Sequence, residues 1–470
     1  MRRICLYLLS IFIASAGALL PARAQKLDTL SAELRQNIDR LADAALAETG
    51  VPSASVAIVK DGQIAYLRAY GDACIEPRTP ARPEMRYSIG SISKQFTVTA
   101  ILLLQEQGKL SLDEEVSRFV PGLTRADEVT IRQLLSHTSG YQDFWPQDYA
   151  MPFILQPTTP ESIMERWARK PLDFEPGTQW QYSNTNFVIA GTIVEKASGM
   201  PFIQFLREKV LAPAGINNAA DTDQGKLGAG DATGYIRYGL GPLRLAPVEG
   251  KGWMFAAGEL AMSAEDLARW DISIIGQTLM KPASYREFET EVRLKNGVGT
   301  RYGLGVDVGE LDGHRMLSHG GEVSGFTAEN IVFPDDRMAV VALTNQDAAS
   351  AAGEIAHNVA RELLLSDDPE GRSRLEQAKA IFAGLQHGTI DRSLFTEDAN
   401  FYFSEAALKD FASGLGPLGS PRDFTQVAKA LRGGMTMRAY RIKFSTKTLR
   451  AWTYAMPDGK LEQFQVEPHE

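Results

Sequence analysis

Apolar positions along this chain follow two rhythms, and the change between them outlines the fold. Leu27, Leu30, Leu34, Ile38, Leu41 and Ala45 recur at helical spacing, which predicts an amphipathic helix over residues 27–48, closed by Gly50, Val51 and Pro52. Two apolar runs, 55–60 and 63–67, flank Asp61-Gly62, the dipeptide that best supports a tight β-hairpin. A second apolar helix opens near Ser91 and runs to about Gln107, with Gly108 as its stop. Further helices are predicted at 130–135, at 185–197, and after Ser263, whose hydroxyl and the acids Glu265 and Asp266 form a helix start.

Strand rhythm returns late. Residues 303–308, 316–319, 329–333 and 339–343 are spaced like an antiparallel meander, and a helix at about 349–365 closes the unit. Strands at both ends with helices between them predict an α+β fold. One antiparallel sheet, flanked by helices, takes its halves from distant parts of the chain and carries an inserted all-helical region. Ser366 to Gly371 reads as a charged, helix-breaking linker. Beyond it lie a helix at 373–386 and alternating runs (Tyr440, Ile442, Phe444; then up to Met456; then Lys460 to Phe464 after a Pro-Asp-Gly turn). These predict a small C-terminal α+β domain over 369–470, of a size that folds as a unit. It is expected either to cap the functional site or to mediate dimerisation.

Composition narrows the setting. At 470 residues, 23% charged and 44% apolar, the chain reads as globular with a sizeable core. Its net charge of −9, with no basic run, argues against nucleic acid and anionic membrane partners. Met1, Arg2 and Arg3 precede an apolar run from Ile4 to Leu20, and Ala22-Arg23-Ala24 matches a cleavage site before Gln25. Residues 1–24 are therefore expected to be a removed secretory signal, which implies a periplasmic or secreted protein and leaves 25–368 as the main domain. No other stretch is long and apolar enough to span a membrane. Removing the signal leaves Cys74 as the one cysteine, read as an inert buried thiol with no disulfide to form.

Candidate chemistry concentrates at Ser91-Ile92-Ser93-Lys94. Residues three apart share a helix face, so the hydroxyl and the amine point the same way. The first helical turn adds free N–H groups and a positive dipole end, suited to a developing negative charge. A lone Ser-x-x-Lys arises by chance in a chain of this length, and its weight comes from company. Tyr182-Ser183-Asn184 can face one cavity with both polar side chains. His319-Gly320-Gly321 sits where a strand is expected to end; its glycines admit close backbone approach, and the Glu322 N–H becomes a second candidate donor.

In this order, Ser91/Lys94, Tyr182/Asn184 and His319/Gly321 resemble the serine β-lactamase and penicillin-binding-protein-like family, nearest to its class C-related hydrolases and esterases. Ser136 to Gly140 and Tyr182 to Phe187 share that likeness, which spans about residues 30–365. The resemblance implies a β-lactamase/transpeptidase-like fold and an acyl-enzyme mechanism. Ser91 would be the nucleophile, Lys94 and Tyr182 its base pair, Asn184, His319, Gly321 and Glu322 the substrate-binding groups, and the Ser91 and Glu322 N–H groups the oxyanion hole. No cofactor or metal is expected, since the histidines (137, 314, 319, 357, 387, 469) show no ligand spacing. The partner expected is a small-molecule or peptide substrate.

Departures from the family pattern shape the expectation further. Antibiotic-hydrolysing members usually offer a lysine and a hydroxyl at the third motif to the β-lactam carboxylate. Here His319 and Gly320 stand there, which predicts weaker, pH-dependent binding of an anionic group and favours an esterase or D-amino-acid peptidase over an efficient β-lactamase. A non-turnover penicillin-binding or peptidoglycan-sensing protein with the same residues stays open. His137 is read as a turn-stabilising residue, Trp180 as packing, Phe401-Tyr402-Phe403 as core, and Tyr141 as either packing or pocket.

Overall fold

The structure is a computed structural model that describes residues 29–148 and 152–468. The expected signal segment lies outside the described residues. Helix α1 (Ala32–Thr49) begins where the Ser31 side chain accepts from the Leu34 N–H, and it ends at Gly50 with φ 70°. Strands β1 (Ser53–Lys60) and β2 (Gln63–Ile75) form the expected hairpin. Asp61 and Gly62 both adopt left-handed backbone (φ 55° and 73°), the geometry a two-residue turn requires. A short strand, β3 (Arg78–Pro80), extends this edge.

Two more strands of the late meander follow expectation and two depart from it. They are β4 (Asp307–Leu311), β5 (His314–Val323), β6 (Phe326–Phe333) and β7 (Met338–Thr344). The strand expected from Gly303 begins only at Asp307. Gly305 holds φ 68° in a loop pressed on the Ser91 helix, where a Cβ would lie 2.7 Å from Val98 Cγ2. The strand expected to end near His319 runs on to Val323, because β6 pairs both glycines: Gly320 with Glu329 and Gly321 with Ala328.

All seven strands join one antiparallel sheet in the order β3-β2-β1-β7-β6-β5-β4. The two ends of the domain meet at its centre, where Ala54 pairs with Thr344. One face packs α1 and a C-terminal helix, α5 (Ala351–Asp367), through Ile38, Ile58, Val340 and Val359. The other face packs the helical insertion through α2 (Ser93–Glu106), α3 (Asn184–Ser198) and α4 (Ala264–Gly276). This is the expected α+β fold with its inserted helical region. Among the described residues no helix is long and apolar enough to cross a membrane. Cys74 is only half-buried: at the sheet edge its thiol donates to the Glu76 carbonyl and accepts from the Tyr235 hydroxyl.

The expected linker is a tight turn. Helix α5 continues to Asp367, and α6 (Gly371–Gln386) starts four residues later. Asp368 in the turn accepts from Arg438 (2.5 Å) and Lys429 (3.0 Å) of the tail. The Arg438 side chain is only 3% exposed, so this carboxylate is its charge partner in a dry place. The tail itself has α6, two shorter helices and a four-stranded antiparallel sheet over its own core, with Tyr440, Ile442 and Phe444 inside. Phe403 is fully buried, but Phe401 is 89% exposed, so only one of those three aromatics is core. The tail meets the C-terminal end of α5. That end lies about 25 Å along the helix axis from the start of α5 at Ala351.

Two outcomes follow from these contacts. Asp368→Ala strands Arg438 without its carboxylate, which costs about 3 kcal/mol for such a group. A chemical denaturation curve should show a tail transition shifted to lower denaturant. Gly321→Ala would put a methyl 1.9 Å from the Ile89 carbonyl oxygen. The strand and the turn must then part, and the same assay should read a loss of about 2 kcal/mol.

Candidate active site

The Ser91 segment is not a plain helix start. Gly90 at φ 51° opens a 3-10 turn, Gly90–Ile92, that leads into α2. A Cβ on Gly90 would come within 2.7 Å of the Glu322 nitrogen, and one on Gly321 within 3.3 Å of the Ser91 nitrogen. Glycines on both sides thus let β5 lie against the turn. The Ser91 and Glu322 N–H groups, which come from distant parts of the chain, end up side by side.

Lys94 sits one turn further along α2 and is fully buried. Its Nζ lies 2.9 Å from Ser91 Oγ, 2.8 Å from Asn184 Oδ1 and 2.7 Å from the Ala257 carbonyl oxygen. The carbonyl can only accept, and so can the Asn184 oxygen, whose amide is turned by Asp143. The Asp143 carboxylate takes the Asn184 backbone N–H (2.8 Å) and side-chain Nδ2 (3.3 Å). Two of the three Nζ directions are therefore committed to N–H donation. In the neutral amine the third is a lone pair directed at the Ser91 hydroxyl. Burial pushes Lys94 down to about 7, opposed by the charges of Asp143 and Glu259.

Ala256 and Ala257 present two successive carbonyls to α2: Thr97 Oγ1 donates to Ala256 (2.7 Å), one turn after Lys94 reaches Ala257. Ala256 is held at φ 57° to do so, a conformation that costs a residue with a Cβ on the order of 1–3 kcal/mol. Glu259 beside them is buried with both carboxylate oxygens unpartnered among the described residues, and burial raises it well above the carboxylate range.

Tyr182 bonds Ser91 through its hydroxyl, and its ring lies 5.0 Å from Lys94 Nζ. Burial raises its hydroxyl, so Tyr182 stays protonated while Lys94 titrates. His137 holds it from behind. Its ring stacks on Tyr182 at 4.3 Å, and its Nδ1 accepts the Ser183 N–H at 3.1 Å. The His137 side chain, read as stabilising its own turn, thus bears on the next motif. Trp180 packs edge-on against His137 and remains 39% exposed, and the Tyr141 hydroxyl donates to the Thr124 carbonyl within the core.

His319 is tied down through both ring nitrogens. Tyr302 donates to its Nε2 (2.9 Å), and its Nδ1 donates to the Gly320 carbonyl (2.6 Å). Burial, then the charge of Lys94, lowers it to about 4. The ring is neutral with both nitrogens engaged, so it offers no charge to an anionic substrate near neutral pH. The expected pH-dependent anion binding through this histidine therefore does not follow.

Ser91, Tyr182, Asn184, His319, Gly321 and Glu322 line one cavity of about 690 Å³, with Lys94 beneath its floor. Asp143, Tyr302 and the Ala257 carbonyl complete the constellation; sequence reasoning did not find them. No spacing rule in the sequence marks Asp143. Among the described residues no group of three or more His, Cys, Asp or Glu side chains is placed to hold a metal ion.

Known proteins share this arrangement of chain. D-aminopeptidase of Brucella anthropi is 29% identical over 353 residues, which cover 74% of this chain and 66% of that protein. The chain thus spans about two thirds of that relative's length. Penicillin-binding protein 4* of Bacillus subtilis (strain 168) is 28% identical, over 75% of this chain and 83% of its own. Among solved structures, a D-stereospecific amidohydrolase from Streptomyces sp. superposes with a TM-score of 0.59 at 26% identity, covering 68% of this chain and 96% of its own. An octameric penicillin-binding protein homologue from Pyrococcus abyssi shares the fold over 92% of this chain and 99% of its own, at TM-score 0.63 and 24% identity. A family model described as Beta-lactamase matches residues 38–364, well over half of the sequence, and the chain belongs to the Beta-lactamase family.

Proposed function

We propose that this protein is an exported serine hydrolase that cleaves an amide or ester bond through an acyl-enzyme on Ser91. The single observation that carries the reading is the Lys94 amine, held by two obligate acceptors so that its third direction meets Ser91 Oγ at 2.9 Å. A buried lysine lowered to about 7 can take the serine proton at working pH. Relatives named D-aminopeptidase and D-stereospecific amidohydrolase support amide or peptide bonds of D-amino acids as the first substrates to try. The basic start and Ala-x-Ala site of residues 1–24 support export.

In this mechanism Ser91 Oγ attacks the carbonyl carbon as its proton passes to Lys94. The carbonyl oxygen becomes an oxyanion and is received by the Ser91 and Glu322 N–H groups. Collapse breaks the bond to the leaving nitrogen or oxygen, which takes the proton back from Lys94 through the Tyr182 hydroxyl. Water then repeats the sequence on the Ser91 ester. Asp143 acts at one remove, by orienting Asn184 and so the lysine.

Intact-mass spectrometry with a fluorophosphonate and, separately, a fluorescent penicillin tests the nucleophile. One adduct is expected on wild type, located to Ser91, and none on Ser91→Ala. An adduct on both proteins, or none on wild type, would remove the reading. A penicillin adduct that never turns over, together with no hydrolysis of any amide or ester, would favour the sensing protein instead. The pH profile tests the base. Below about 7 the Lys94 ammonium has no lone pair, so kcat/KM should fall as pH drops through that value and level off above it. The Asp143 charge raises Lys94, so Asp143→Asn should move the midpoint to lower pH. Lys94→Arg, always protonated, should lose about 10²–10⁴-fold across the range.

A further inference from the structure

Beyond Ser91 the cavity continues around the open edge of β5. Strand β4 pairs with β5 only as far as Ser318. From Gly320 on, no strand pairs with this edge, and the cavity reaches the start of α5 at Ser350, Gly353 and Glu354. Gly320 has no side chain to close this passage. A Cβ there would lie 3.3 Å from Glu329 Oε2, the residue paired with it on β6.

The charge of this end is one-sided. The cavity wall carries four carboxylates, Asp143, Glu322, Glu329 and Glu354, and among the described residues no lysine or arginine. Three have donors: Asp143 holds Asn184, Glu322 accepts the Ala348 N–H, and Glu354 accepts the Ser350 hydroxyl. Among the described residues nothing donates to the Glu329 carboxylate, although it is half-buried. Asp307 on β4 adds a further negative charge behind it. Burial first and Asp307 second push Glu329 up to about 7.

We propose that this end of the cavity is a subsite for a cationic group on the leaving half of the substrate, and that Glu329 selects it. The inference rests on the hydrolase reading above. The family resemblance implies that a β-lactam carboxylate would meet the third motif, and a penicillin carries that carboxylate on the half that holds the ring nitrogen. Here the same place offers a neutral His319, a bare Gly320 and an unpaired glutamate. A carboxylate is repelled and an ammonium finds an ion pair in a partly dehydrated pocket. The preferred substrates are amides or esters whose amine or alcohol portion bears a positive charge.

The test compares two esters of one acid that differ only in charge: the choline ester and its neutral isostere, the 3,3-dimethylbutyl ester. The wild-type kcat/KM ratio should favour the cation by about tenfold or more. Glu329→Gln should bring that ratio close to one, and Glu329→Asp should restore part of it. A wild-type ratio of one or less overturns the proposal and leaves the hydrolase reading standing, as does a ratio that Glu329→Gln leaves unchanged. Hydrolysis of neither ester by wild type, with no fluorophosphonate adduct on Ser91, removes both. Because the wild-type ratio is read first, a Gln variant that fails to fold does not protect the idea.

Discussion

A lysine without water is the constraint from which the site is built. Taking an ammonium into a dry interior costs several kcal/mol unless it is met by acceptors or gives up its proton. Lys94 does both. Its contacts are only carbonyl and amide oxygens and one hydroxyl, so no carboxylate pins it in the charged form. The nearest acids act through distance alone. That balance leaves the amine able to change protonation at modest cost. It also explains the second-hand role of Asp143, which aims the Asn184 oxygen at Nζ.

The other structural demand is a seam between two parts of the chain. A turn at Gly90–Ile92 and a strand at Gly320–Glu322 approach so closely that neither glycine has room for a methyl group. Backbone N–H groups from the two sides can then serve one atom. Precision of this kind comes from sheet pairing, because β6 fixes the strand through both glycines. A loop in the same place would leave the donors free to drift.

Much of this was legible in the sequence where the cause was local. The Asp61-Gly62 turn, the Ser263 cap and the Ser91/Lys94 spacing depend on neighbours a few residues away, and they fall where their residue types demand. The sheet assembled from both ends was legible from the order of rhythms. What escaped depends on partners far along the chain. Nothing near Asp143 says that its carboxylate will meet Asn184. Nothing near His319 says that Tyr302 will occupy its Nε2. The charged stretch at 366–371 looked like a linker because buried ion pairs resemble exposed ones in sequence; only Arg438 on a tail strand makes Asp368 an anchor. Cys74 looked buried because that is the commoner fate of a lone cysteine, but it stands at the end of β2 that reaches the sheet edge.

The pairing of Ala54 with Thr344 has a consequence for the newborn chain. The β1–β2 hairpin emerges early, yet the neighbour that covers β1 is made almost three hundred residues later. At ribosomal speeds of about 5–20 residues per second, that edge stays bare for on the order of tens of seconds. Throughout that interval an apolar ribbon with open hydrogen-bonding groups is a template for aggregation. Either a chaperone shelters it or the chain is kept unfolded until its last strands arrive, and contact order makes the final closure slow.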